Sequence, residues 1–116
     1  MCIRDRKGYG VKLDMKKAVK YYRMAADRGL ANAQHTLGSC FYYGIGVARD
    51  YAETVRYFML AADQGYTNAE CNLGVMYANG YGITQDYAEA ARWFERAAAK
   101  GYENAIHNLA VLRNLP

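Results

Sequence analysis

The chain has 116 residues, 53% of them hydrophobic and 22% charged, with a net charge of +4. That length suits one domain with a core of its own, and no apolar run reaches the roughly 18 residues that a membrane-crossing helix needs. The charge is lopsided: residues 1–7 carry +2 and 8–43 carry +4, mainly through Lys12, Lys16, Lys17, Lys20, Arg23 and Arg28, whereas 44–79 carry −2 and 80–116 are neutral. A basic track along the whole molecule, as a nucleic-acid surface requires, is therefore excluded.

Residues 1–7 lack the apolar stretch of a secretory signal. From residue 8 onward one unit is written three times at a spacing of 36, over about 8–43, 44–79 and 80–116. Gly8-Tyr9-Gly10-Val11 returns as Gly44-Ile45-Gly46-Val47 and as Gly80-Tyr81-Gly82-Ile83, and Asp14, Asp50 and Asp86 follow. Without gaps, copies one and two share 14 of 36 residues and copies two and three share 17. Such a period marks a stack of supersecondary units, each unable to bury its apolar face alone. Residues 1–7 do not match the end of a preceding unit although the chain opens inside a repeat's loop, so the expectation is a piece of a longer repeat protein.

Within each unit the Gly-x-Gly-Val stretch predicts a tight return. Asp50 and Asp86 then cap a helix with Glu53 and Glu89 three residues on, a capping-box-like start; the first copy keeps Asp14 but has Lys17 at the third position. Apolar residues recur at helical spacing, as in Val55, Phe58, Ala61, Ala62 and in Ala90, Phe94, Ala97, Ala98. Gly29, Gly65 and Gly101 stand where a left-handed residue ends a helix. A second helix is predicted from near Asn32, Asn68 and Asn104, carrying Leu37, Leu73 and Leu109. Gly38 and Gly74 sit inside it at about 1 kcal/mol each against Ala, which implies a close helix crossing. The fold expected is all-α: a solenoid of three antiparallel helix pairs.

Cys2, Cys40 and Cys71 cannot all pair, and Cys40 and Cys71 occupy different repeat positions; this favours a reducing compartment. The glycine motifs are not a phosphate cradle, because a dinucleotide fingerprint follows a strand and opens a helix, whereas these close a helical hairpin.

Ala69, Leu73-Gly74, Tyr77, Gly80, Gly82-Ile83, Asp86, Ala90, Trp93-Phe94, Ala97-Ala98 and Gly101 resemble the Sel-1-like repeat family, relatives of tetratricopeptide repeats with a longer loop. The resemblance covers about residues 8–112, and the last copy departs from it, with Ala110 for Gly and Arg113 for Tyr. It implies a right-handed superhelical adaptor that holds other proteins together, in a family serving protein quality control and bacterial signalling or envelope processes. A few members have been linked to cell-wall-related small molecules.

By similarity to tetratricopeptide proteins, the Leu-Gly helix lines the concave side. His35, Cys71 and His107 then form one column, and Thr36, Asn72 and Asn108 another. A zinc site does not fit the first, because helices packing about 8–10 Å apart put His35 and His107 roughly 20 Å apart, while zinc ligands lie within about 2.0–2.3 Å of one ion. Nucleophilic catalysis by Cys71 or Cys40 lacks an orienting acid. The expectation is a non-catalytic module with no cofactor and no metal, binding a protein or peptide partner. Its groove residues are His35, Thr36, Ser39, Tyr42, Tyr43, Cys71, Asn72, Val75, His107 and Asn108. The alternatives are RNA binding, carried by the basic first repeat, and more distantly a hydrolase or a binder of cell-wall-related small molecules.

Overall fold

The structure, a computed structural model, describes residues 9–115, with side chains from Asp14 onward. It is all-helical, and no strand occurs among the described residues: α1 (Tyr9–Asp27), α2 (Ala31–Tyr43), α3 (Tyr51–Asp63), α4 (Thr67–Asn79), α5 (Tyr87–Ala99) and α6 (Glu103–Arg113). Each helix packs chiefly on its neighbours in sequence, the one-dimensional stacking of a solenoid. The result is elongated, 47 × 30 × 26 Å.

Local chemistry sets the ends of the elements. The Asp50 and Asp86 carboxylates each accept the N–H three residues on, from Glu53 and Glu89, at 3.1 Å. The two Glu side chains turn instead to Arg56 and Arg92, at 2.8 and 2.7 Å. At the other end, the Ala pairs accept a Schellman closure: Gly65 N–H donates to Ala62 O and Tyr66 N–H to Ala61 O, and Gly101 and Tyr102 do the same with Ala98 and Ala97. Gly65 and Gly101 have φ of +82° and +84°, a conformation that explains glycine there. The residue after each such glycine is extended and becomes the N-cap of the next helix without any side-chain cap bond. Hence α2, α4 and α6 start one residue ahead of Asn32, Asn68 and Asn104.

The first copy departs from the expected pattern. Tyr9, Gly10 and Val11 belong to α1 rather than to a loop, and Asp14 lies inside that helix instead of capping it. In the later copies the loop docks on an earlier helix: a Cβ at Gly46 would strike the Met15 carbonyl, and one at Gly82 the Tyr51 carbonyl. In the first copy α1 runs through Gly10. Gly8 lies outside the described residues, as does the segment 1–7.

Packing follows the repeat. Leu37, Leu73 and Leu109 occupy three successive apolar clusters with the paired alanines. Gly38 and Gly74 lie where a Cβ would meet the rings of Phe58 and Phe94 at 2.8 and 2.6 Å, so the crossing inferred from the glycines is real. A polar clasp joins consecutive units on the same scheme twice. Gln64 donates to Gly29 O and to Gln34 Oε1, both at 2.9 Å. One repeat later Lys100 donates to Gly65 O at 2.7 Å and to Glu70 at 3.0 and 3.2 Å. Glu70 is fully buried, so the charged version of the clasp depends on Lys100, with Arg96 at 3.6 Å as a second cation.

Candidate functional site: the face of the inner helices

The inner helices α2, α4 and α6 line one face, and between successive members lie two pockets. The first, of about 240 Å3, is lined by Ser39, Tyr42 and Tyr43 of α2, Phe58 of α3, and Asn72, Val75 and Met76 of α4. The second, of about 210 Å3, is lined by Val75, Ala78, Asn79, Phe94, Asn108, Val111 and Leu112. The two sets occupy the same seven repeat positions, displaced by 36 residues. The pockets exist because Gly38 and Gly74 let α2 and α4 sit directly on the Phe58 and Phe94 rings, which become the pocket floors.

Of the residues expected from sequence, Ser39, Tyr42, Tyr43, Asn72 and Val75 meet in the first pocket, and Val75 and Asn108 in the second. The other four line neither. Thr36 donates to its own helix, to Asn32 O at 2.8 Å. Cys71 is 3% exposed, packed with Phe94 and Leu109. His107 is exposed. His35 stacks on Phe58 at 5.3 Å between ring centroids and lies against Tyr66. Its Nε2 is 2.9 Å from Asn72 Nδ2; the amide can only donate, so Nε2 accepts and the ring is neutral. Burial also lowers the His35 pKa.

Equivalent residues therefore do not stack as straight columns. Contacts run from one position to the residue just after its equivalent in the next unit, His35 to Asn72 and Cys71 to Asn108, whose Nδ2 lies 3.8 Å from Cys71 Sγ. Both asparagines spend an amide hydrogen on the preceding unit. Phe58, Met76, Phe94, Ala78, Asn79, Val111 and Leu112 were not anticipated from sequence, although the 36-residue offset from Tyr42, Tyr43 and Val75 points at several of them.

Electrostatically the α2 and α4 part of the face is quiet, whereas α6 carries Glu103 and Arg113, the latter 3.2 Å from Glu95. Helix α2 contains no charged residue, and α4 contains only Glu70, which the Lys100 clasp neutralises. The Cys40 and Cys71 thiols are pushed up in pKa by burial, with a smaller opposing pull from the Asn108 hydrogen bond at Cys71; protonated thiols are poor nucleophiles. Among the described residues no three His, Cys, Asp or Glu side chains gather to hold a metal. Beside the first pocket, Tyr42 forms a cluster with Tyr43, Tyr51 and Tyr81 at centroid distances of 4.9, 5.3 and 6.4 Å. Burial and then the neighbouring phenols raise its pKa, against the Arg49 charge. The exposed Lys16, Lys17, Lys20, Arg23 and Arg28 all belong to α1 and its turn. No described helix is long and apolar enough to cross a membrane.

Comparison with known proteins agrees with this geometry. A Sel1 repeat model matches residues 6–30, 31–66 and 67–102. The structure is similar to a Sel1 repeat protein from Oxalobacter formigenes, at 40% identity and a TM-score of 0.81, over 90% of this chain and 43% of that one. It is similar also to c5321, a protective antigen of uropathogenic Escherichia coli strains with an SLR fold, at 40% identity and a TM-score of 0.78, over 81% of this chain and 20% of that one. The chain thus spans less than half the length of either. Helicobacter pylori cysteine rich protein B shares the fold at 24% identity and a TM-score of 0.76, over 81% of this chain and 71% of that one. A search of curated protein sequences returned no match. Repeats of this kind are typically protein-interaction scaffolds, and this chain belongs to the Sel1 repeat family.

Proposed function

We propose that the chain is a non-catalytic interaction module that takes a peptide segment of a partner protein along the face of α2, α4 and α6. The observation that carries this reading is the pair of pockets set at one repeat spacing between the inner helices, of which α2 carries no charge and α4 only the clasped Glu70. A ligand that spans both must itself be a chain, and the absence of lysine and arginine from α2 and α4 is wrong for a phosphate backbone, which is held by cations. Asn72 and Asn108 each line a pocket, where an amide suits a backbone group. Catalysis finds no support in the buried, protonated thiols.

The test is affinity capture with the wild-type chain, followed by measurement of the captured partner on the double variant Asn72→Ala, Asn108→Ala. Binding should weaken by roughly 1–3 kcal/mol, the cost of leaving the partner's polar groups unpaired. If that variant binds as wild type while changes at Lys16, Lys17 and Lys20 abolish binding in a salt-dependent way, the working surface is the basic α1 face instead. Salt-sensitive binding of generic RNA would then favour a nucleic-acid partner.

A further inference from the structure

Each pocket takes one lining residue from the same cross-unit contact. Asn72 of the first has its Nδ2 2.9 Å from His35 Nε2. Asn108 of the second has its Nδ2 3.8 Å from Cys71 Sγ. His35 and Cys71 occupy equivalent positions in their repeats, so one contact changes with pH in the neutral range and the other does not. Imidazole is the side chain whose charge changes between about pH 5 and 8. Burial pushes the Cys71 thiol up and keeps it protonated there.

The surroundings of His35 leave that change one outlet. The ring is half-buried, with Phe58 of α3 and Tyr66, the N-cap residue of α4, each at 5.3 Å between centroids. The Asn72 amide of α4 stands at its edge. Of these three neighbours only Tyr66 is titratable. No carboxylate answers an imidazolium: α2 carries no charge, Glu70 of α4 is held by Lys100 and Arg96, and Glu53 of α3 by Arg56. Asp63 is exposed at the end of α3, and burial lowers the His35 pKa without an opposing charge.

In the neutral state Nε2 accepts from the amide. Once Nε2 carries a proton, one N–H faces another, and a hydrogen bond then requires Asn72 to turn its carbonyl oxygen to the ring. That turn exchanges the ends of the amide. Oδ1 is spent on the imidazolium, and the NH2 group takes its former place.

We propose that His35 is a proton-operated switch for the first pocket: its protonation reverses the Asn72 amide, so the pocket wall exchanges an acceptor for a donor while the second pocket stays as it is. The consequence for a ligand rests on the groove reading above; the switch itself belongs to the free chain. A partner that donates to Asn72 Oδ1 competes with the proton. Its affinity falls as pH drops through the His35 pKa, about tenfold for each pH unit by which binding lowers that pKa.

Nuclear magnetic resonance of the isotope-labelled, unliganded chain tests the switch. At about pH 8 the His35 nitrogen shifts should place the proton on Nδ1 and none on Nε2. On acidification to about pH 5 the Asn72 side-chain amide should step at the His35 midpoint, and the Asn108 amide should show no step there. In His35→Gln, whose side-chain oxygen still accepts from Asn72, the Asn72 step should vanish; circular dichroism checks the fold at each pH. A proton on Nε2 at the alkaline end, an Asn72 amide that ignores the His35 titration, or an Asn108 amide that shares it overturns the inference. The partner captured above supplies the second arm: acid should weaken its binding to wild type and spare its binding to His35→Gln. Equal acid loss on both chains, from a partner that needs Asn72 and Asn108, overturns the action of the switch on a ligand. A step at Asn72 with a partner indifferent to both asparagines removes the groove reading and leaves the switch standing.

Discussion

The charged clasp at the second repeat interface can be exchanged for the neutral clasp of the first, because the protein contains both versions of one device. Lys100→Gln leaves the Glu70 carboxylate, 1% exposed, without its closest cation. Removing one partner of a buried pair costs about 3–5 kcal/mol. Here Lys100 is 42% exposed and Arg96 stays 3.6 Å from Oε2, which brings the expected loss to about 2 kcal/mol. Glu70→Gln should cost less, about 1 kcal/mol, since Lys100 can reach water and keep its bond to Gly65 O. The double variant recreates the Gln34–Gln64 arrangement and should fall within about 0.5 kcal/mol of wild type, a coupling of roughly 2 kcal/mol or more. At about 4 °C per kcal/mol for a domain of this size, Lys100→Gln should melt about 8 °C lower. Urea and thermal unfolding followed by Trp93 fluorescence are the assay, because the single Trp lies in α5 against Arg96 and reports on this interface. Additive single costs, or a double variant worse than Lys100→Gln, would refute the view that the two clasps are interchangeable.

Gly74→Leu should destabilise by about 3 kcal/mol or more, since even a Cβ meets Phe94 at 2.6 Å and overpacking of a buried contact is costly; chemical denaturation measures it. Asp86→Ala should cost about 1 kcal/mol through loss of the N-cap bond to Glu89 N–H, read as earlier urea unfolding of the Trp93 signal. His35 should make stability pH-dependent. Its native pKa lies below the ordinary value of 6.5 because of burial, so the unfolded chain takes up the proton first. Its contribution is complete above pH 6.5 and declines as pH falls from there toward the native pKa; His35→Gln should flatten that slope in melts between about pH 7 and pH 5.

Much of this architecture is local and therefore legible in the residues. The 36-residue period, the Asp50 and Asp86 caps, and the left-handed Gly65 and Gly101 depend on hydrogen bonds within three to five residues, which short sequence patterns encode. The close crossing at Gly38 and Gly74 is legible because only contact with another helix explains a repeated glycine inside one. Local patterns also mislead at the first copy: Gly10 and Asp14 match the later loops and caps, yet both lie inside α1. The candidate face depends on the rotation between units, which no single repeat contains. That rotation sets His35 against Asn72 rather than beside Cys71 and brings Phe58 and Phe94 into the pockets between the inner helices. The sequence by itself therefore determined the unit and its count. The tertiary structure decided which side chains of neighbouring units meet, because a small rotation per repeat moves each contact one residue along the next helix.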